Sequence, residues 1–139
     1  MGSHQQQPVV HSLNAGAQQI LRIRAAERYS MQRIAVMEGQ SYNIRCDAGQ
    51  RWVDMVIWAS PKGYPNPLAR LFGMRVHDAR CFCLCGAYND ADTDAFAIGT
   101  DHTIAHVPIN GTLSFFANDV HGYEWNNWGS IDITVTRLQ

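Results

Sequence analysis

The 139-residue chain lacks any apolar run long enough to cross a membrane, for which about 20 consecutive residues are needed. It also lacks an excess of positive charge, because 11 Lys and Arg stand against 12 Asp and Glu, a formal net charge of −1. Nucleic-acid-binding domains usually carry a clustered basic face, so we expect no nucleic-acid partner. Because no apolar run is long enough, we also expect no membrane insertion. Residues 1–7 lack the apolar core of a secretory signal peptide and resemble a cloning remnant. We therefore expect a cytoplasmic protein, with non-classical export as the alternative.

Common catalytic signatures are absent as well. The sequence contains no Gly-x-Ser-x-Gly, no phosphate-binding Walker loop and no His-Glu-x-x-His. His77 and Asp78 are adjacent, but neighbours on a strand point to opposite faces and cannot form a dyad. We expect that the protein is not an enzyme. A hydrolase is the alternative, and it would need a catalytic pair about 3 Å apart.

The four cysteines do not have the spacing of a zinc knuckle. Cys81, Cys83 and Cys85 alternate along a predicted strand and would share one face, where adjacent pairs have poor geometry for disulfides. We predict that these three and Cys46 are buried thiols. A zinc site that combines the cysteines with His77 is the alternative.

What the chain does contain is a series of short segments with period-2 alternation, separated by turn residues. In the last of them Ile131, Ile133 and Val135 share one face, which predicts a half-buried strand. Such strands recur at intervals of roughly ten residues, which is typical of all-β sandwiches. We predict an all-β β-sandwich or jelly roll of about eight or nine short antiparallel strands. One domain is expected over residues 17–139, after a disordered segment over residues 1–16. Predicted strands include residues 20–25, 32–36, 41–46, 52–58, 95–98 and 102–107.

Three connecting segments carry distinct turn chemistry. Residues 61–67 contain three prolines and a glycine, which predicts a stiff surface loop suited to ligand contacts. Residues 89–94 read Asn-Asp-Ala-Asp-Thr-Asp and are expected to form a solvated hairpin tip. A second cation site is the alternative there, since calcium loops open with similar spacing. The pair Asn110-Gly111 is a strong hairpin signal.

The most informative stretch runs from residue 113 to 135, where an apolar strand, a loop and an alternating strand follow one another. The loop carries Asp119, Asn126 and Asn127, and it contains no lysine or arginine. Calcium takes about six to eight oxygen ligands from carboxylates, amides and carbonyls. The loop is therefore a candidate cation site. Turn formation is the alternative role for these residue types.

The string Asn-Asp-Val-x-Gly-x-x-x-Asn-Asn-x-Gly-Ser over residues 118–130 resembles the signature of the PA-IL-like bacterial galactose lectins. Upstream, residues 49–52, 77–79 and 85–87 resemble segments of that family more loosely. The resemblance implies a β-sandwich that binds a galactose-type sugar through calcium. It also implies a homo-oligomer, since weak single sites gain avidity from multivalency.

The resemblance further implies a set of site residues. The metal would be held by the side chains of Asp119, Asn126 and Asn127 and the carbonyl of Tyr123, with a second carbonyl near Trp52 or Val53. Hydroxyls of the sugar would complete its shell, and aromatic rings would pack on the apolar face of a pyranose. The candidate sugar-binding residues are Trp52, Tyr64, Asn66, Asp119, Val120, Trp125 and Asn126.

The chain departs from the family pattern in two places. It has no His-Pro-x-Gln sugar loop, for which Tyr64-Pro65-Asn66-Pro67 is the nearest candidate, and bulky Trp128 replaces a small residue. The competing interpretation is a β-sandwich protein-interaction or structural module that has lost sugar binding.

Overall fold

A computed structural model describes residues 7–67, 71, 73–120, 122 and 124–139, and the regular secondary structure in this part of the chain is almost all strand. No helix in it is long and apolar enough to span a membrane. The all-β prediction is confirmed. The strands are β1 (Val9–His11), β2 (Gln18–Arg24), β3 (Gln32–Val36), β4 (Tyr42–Cys46), β5 (Trp52–Asp54), β6 (Ile57–Ala59), β7 (Leu84–Tyr88), β8 (Phe96–Ala97), β9 (Asp101–Ile104), β10 (Gly111–Ala117), β11 (Asn127–Trp128) and β12 (Ser130–Arg137), and a 3-10 turn covers Glu124–Asn126.

Two larger sheets pack face to face, and a small third sheet lies beside them. The five-stranded sheet has the order β1-β3-β10-β7-β8, and the four-stranded sheet has the order β2-β12-β4-β9. The third sheet contains β11, β5 and β6. Strand β1 pairs with β3 in parallel, whereas the other strand pairs are antiparallel. β1 lies within residues 1–16, so the prediction of disorder there does not hold for Val9–His11.

The main core lies between the two larger sheets. Strand β12 buries alternate residues, Ile131, Ile133 and Val135, as its sequence pattern predicts. These side chains meet buried residues of the opposite sheet, including Leu113 and Phe115 of β10. Each such side chain contributes about 1.5–3 kcal/mol when it is fully removed from water. Burial of this face fixes the register of β12, because a slip of one residue would expose all three.

Residues 52–58 were predicted as a single buried strand, and this is wrong. The chain reverses after β5, so that β5 and β6 form an antiparallel hairpin with Met55 and Val56 at its tip. Met55 takes a φ of 54°, which turns the chain. The run of apolar residues therefore does not mark a buried strand, since the hairpin exposes Val56 and Trp58.

The cysteines are all buried free thiols, which confirms that prediction. The strand that was to align them is absent, however, because β7 begins only at Leu84 and Phe82 takes a φ of 62°. Cys83 and Cys85 pack together with Phe116, whereas Cys81 belongs to a separate small cluster with Met74.

Two turns also differ from expectation. Residues 89–94 do connect the antiparallel strands β7 and β8, but buried Arg33 and Arg75 anchor this tip through ion pairs with Asp90 and Asp92, both 2.9 Å long. Asn110-Gly111 is not a hairpin turn, because it links β9 to β10 in different sheets. Glycine is required at residue 111, since an added Cβ would collide with the Asn89 side chain.

Candidate metal site

The loop after β10 begins with a fully buried asparagine that ties it to residues 76–80. The Oδ1 atom of Asn118 accepts a hydrogen bond from the Val76 amide at 2.8 Å. Its Nδ2 atom donates to the carbonyls of Val76, Arg80 and Ala79 at 3.0, 3.1 and 3.3 Å. These bonds occupy the side chain completely, so Asn118 is a structural residue that sets the position of the next one.

Asp119 is only 5% exposed, and its two carboxylate oxygens differ. Oδ1 accepts a hydrogen bond from the Val120 amide at 2.7 Å, whereas Oδ2 is buried and has no hydrogen-bond partner. Burial raises the pKa of Asp119 to about 6. A buried carboxylate with an unpartnered oxygen is costly unless a cation or a donor faces it.

The adjacent asparagines add two further oxygens of the same kind. Asn127 lies directly opposite Asp54 in the β5–β11 pair, so the two side chains share one face of the small sheet. Its Nδ2 atom donates to the Ala25 carbonyl at 3.4 Å, which leaves Oδ1 buried without a partner. Asn126 Oδ1 is likewise buried and unpartnered. The three predicted side-chain ligands thus each present one unpartnered oxygen.

This donor set fits a hard cation. Buried polar atoms in folded proteins nearly always have a hydrogen-bond partner, so several unpartnered oxygens on one loop are suited to bind a cation or a hydrogen-bond donor. Carboxylate and amide oxygens are the ligands that calcium prefers. A fourth such atom is Glu124 Oε1, which lies 3.9 Å from Arg75 Nη1. Tyr123, the predicted carbonyl ligand, lies outside the described residues.

The structure adds Asp54, which the sequence did not single out as a ligand, and Cys81, which the sequence raised only in the alternative zinc site with His77. Asp54, Cys81 and Asp119 each offer a ligand atom, and these atoms all lie within 4.8 Å of one another. The Cys81 sulfur is 3.9 Å from Asp54 Oδ2, and burial raises the pKa of Cys81 to about 11. Asp54 carried a detectable signal, since it is the single polar residue in the apolar stretch 52–58. The sequence did not place Cys81 beside Asp54 and Asp119, because this contact depends on how distant loops pack.

Tyr64 connects the proline-rich loop to this cluster. Its hydroxyl donates to Asp54 Oδ2 at 2.5 Å, and its backbone bridges to Cys81. Burial raises the pKa of Tyr64 well above its usual value, so the hydroxyl keeps its proton. Gly63 permits the close approach, since an added Cβ would collide with the Cys81 carbonyl. A cavity of about 360 Å³ lies beside this loop and is lined by Pro65, Asn66, Pro67, Arg80 and Cys81.

The remaining candidate sugar residues occupy different environments. Trp52 is fully buried, and its indole donates to the Phe82 carbonyl at 3.2 Å, so its ring belongs to the core and is not available to a sugar. Val120 is partly buried and bridges to Met74. Trp125 is 77% exposed beside the two asparagines.

Trp128 lies on the face of the small sheet opposite to Asp54 and Asn127. It lies in register with Val53 and Trp58 across the small sheet. The rings of Trp128 and Trp58 meet edge to face at 5.4 Å, and the Trp128 indole donates to the Met55 carbonyl at 3.2 Å. The bulky residue in the motif therefore fills the outer face of this sheet.

Comparison with known proteins yields a match at the level of structure only. No family model matches the chain, and no curated protein does. A solved structure, the EclA N-terminal domain described as a PllA-like lectin, is 17% identical and has a TM-score of 0.61 over 85% of this chain and 94% of that one. A likeness at this identity is a likeness of fold. The chain thus has the fold of a lectin domain, as predicted, while membership of the PA-IL-like family stays a prediction.

Proposed function

We propose that the protein is a calcium-dependent carbohydrate-binding module that takes a galactose-type sugar. The observation that carries this proposal is the set of unpartnered buried oxygens on Asp119, Asn126 and Asn127. The lectin fold of the chain supports it. The resemblance over residues 118–130 supports the choice of calcium and of galactose.

In this proposal Asp119 supplies charge and the two asparagines supply neutral oxygens. Calcium, when bound, attracts sugar hydroxyls and sets their spacing, which makes a shallow site selective for stereochemistry. The carbonyl of Tyr123 remains a proposed ligand on the strength of the resemblance alone. No proton transfer or bond cleavage is involved, so the module is proposed to be non-enzymatic.

The sugar would be contacted by loops on either side of the cluster. Trp125 presents an exposed ring that can pack on the apolar face of a pyranose. Tyr64 and Asn66 stand on the proline-rich loop, where the cavity beside Cys81 opens. Prolines on both sides of Asn66 limit the conformations of this loop, which lowers the entropy cost of binding.

A homo-oligomer is part of the proposal. Met55, Val56, Trp58 and Trp128 form an exposed apolar patch around the β5–β6 hairpin, and monomers seldom expose large patches of this kind. Sedimentation at several concentrations would measure the association. A sharp monomer peak at all concentrations would contradict it.

A glycan array, read with calcium and again with a chelator, tests the function. Binding to galactosides is expected with calcium only, and Asp119→Asn should abolish it, because the substitution keeps the shape but removes the charge. Asp94→Asn is the matched control, since Asp94 is an exposed acid on the 89–94 turn. Glycan binding that survives both the chelator and Asp119→Asn would place the sugar elsewhere and contradict the proposal.

The second candidate function is a protein-interaction or structural module. The apolar patch favours it, because Trp58 and Trp128 are exposed on the face of the small sheet opposite to Asp54 and Asn127. Calcium binding without any glycan signal would support this function instead.

A further inference from the structure

Asp54, Cys81 and Asp119 form a compact trio contributed by three separate segments. Asp54 ends β5, Cys81 precedes β7, and Asp119 follows β10. Their ligand atoms lie within 4.8 Å of one another, and they are the group of this kind found among the described residues. Cys81 is 2% exposed and Asp119 is 5% exposed. Two carboxylates and a thiol are thus brought together out of contact with most of the solvent.

Unpartnered atoms aimed at the trio indicate that it takes a ligand. Asp119 Oδ2 is buried and without a hydrogen-bond partner, as is Oδ1 of Asn127, which faces Asp54 across the β5–β11 pair. Two carboxylates in a partly dry site repel each other unless a cation lies between them. The Tyr64 hydroxyl holds Asp54 in this position rather than allowing it to turn towards water.

We propose that Asp54, Cys81 and Asp119 bind a thiophilic divalent cation of the zinc class, sharing Asp119 with the proposed calcium site. Calcium takes oxygen ligands, whereas zinc and cadmium bind thiolates and carboxylates together. The Cys81 thiol releases its proton to solvent as it becomes a ligand. The shared carboxylate makes the two cations compete. The inference does not rest on calcium or sugar binding.

The cavity beside Cys81 supplies an open side for this cation. It has a volume of about 360 Å³ and is lined by Cys81, Arg80 and the residues of the proline-rich loop that follow Tyr64. Three protein ligands with an open fourth position are typical of zinc sites that accept water or an exogenous ligand. The cation can therefore enter from the loop side without unfolding of the sandwich.

Cadmium provides the test, because a cadmium–thiolate bond has an ultraviolet charge-transfer band. The unmodified chain is expected to bind one cadmium with this band and to bind zinc competitively. Cys81→Ser should remove the band and weaken zinc binding at least tenfold, and Asp54→Asn should also weaken zinc binding. Cys46→Ser is the matched control, since Cys46 is a buried thiol in the main core. A band that persists in Cys81→Ser would overturn the inference.

A second readout uses the unmodified chain, so that it holds even if a variant fails to fold. Zinc is expected to slow alkylation of Cys81 but not of Cys46, as mapped by mass spectrometry; equal protection of both, or of neither, would contradict the site. Calcium titrations of the same proteins separate the two proposals. Cys81→Ser should leave calcium affinity unchanged within about twofold. Calcium binding without zinc or cadmium binding would refute this inference alone, and the converse would refute only the calcium proposal.

Discussion

Asn118 and Asp119 are adjacent, polar and buried, yet their side chains differ in hydrogen bonding. Both polar side-chain atoms of Asn118 form hydrogen bonds within the protein, whereas Asp119 retains one oxygen without a hydrogen-bond partner. Both residue types are common in turns, so composition alone cannot separate their roles. The distinction depends on which backbone groups residues 76–80 present to the loop.

Asn118→Ala should destabilise the protein by about 3 kcal/mol, because it removes the hydrogen bonds of the Val76 amide and of the buried Ala79 carbonyl. Urea unfolding of the metal-free protein measures the change. Asn43→Ala is the control, since Asn43 makes its hydrogen bonds to Asp101 and Thr103 near the surface. Its cost should stay below about 1 kcal/mol. Equal losses for the two variants would contradict the anchoring role.

At the scale of elements, a buried arginine fixes the β7–β8 turn. The guanidinium of Arg75 donates to both carboxylate oxygens of Asp92, at 2.9 and 3.0 Å. It also stacks on the Phe116 ring, with 3.6 Å from Cζ to the centroid, and the Tyr29 hydroxyl donates to Asp92 at 2.6 Å. This network attaches the turn to the outer face of the five-stranded sheet.

The network predicts a pH dependence of stability. Burial opposes ionisation, but hydrogen bonds from Arg75 and Tyr29 lower the pKa of Asp92 below its usual value. A depressed pKa stabilises the fold above the unfolded value of about 4, and this stabilisation is lost as pH falls through the folded pKa. Asp92→Asn should flatten the decline of the unfolding free energy below about pH 4. Asp94→Asn should leave the decline unchanged, and a similar flattening in both variants would contradict the assignment.

The β5–β6 hairpin carries a local strain that a substitution can remove. Met55 adopts a φ of 54°, a backbone conformation that residues with a Cβ rarely adopt. Its side chain is largely exposed. Met55→Gly should therefore raise the free energy of unfolding by about 1 kcal/mol. Val56→Gly at the neighbouring position should lower it by roughly half that, because Val56 has no positive φ to relieve. Thermal melts of the two variants would show shifts of opposite sign, and a loss of stability in Met55→Gly would count against strain at the tip.

At the scale of the molecule, the candidate site joins parts of the chain that are far apart in sequence. The loop after β10 contributes Asp119, the small sheet contributes Asp54 and Asn127, and the segment before β7 contributes Cys81. A cation held there would bind only the folded protein, because the unfolded chain does not bring these groups together. Binding of a cation would therefore be coupled to stability.

Calcium at 100 times its dissociation constant should stabilise the protein by about 2.7 kcal/mol, which corresponds to a rise in melting temperature of about 10 °C. Asp119→Asn should remove this rise. In chelator the same variant should be more stable than the unmodified protein, since it replaces a buried charge that has no counterion. Melts of both proteins in calcium and in EGTA would measure the four values. Identical melting temperatures of the unmodified protein in calcium and EGTA would contradict the calcium site.

The sequence alone determined the features that depend on short-range chemistry. Alternation with period 2 identified β12 and its buried face, and the spacing of turn residues indicated an all-β fold. The loop with Asp119, Asn126 and Asn127 was recognisable because its donors lie within nine residues of one another. Each of the three retains one buried side-chain oxygen without a hydrogen-bond partner in the folded protein.

Only the tertiary structure decided which distant groups meet these donors. Asp54 reaches the site because the chain reverses at Met55 and the β5–β11 register places Asp54 opposite Asn127. Cys81 reaches it because the predicted strand over residues 81–85 does not form until Leu84. Asn110-Gly111 joins two sheets instead of closing a hairpin. Strand pairing depends on packing between segments tens of residues apart, and local propensity does not encode it.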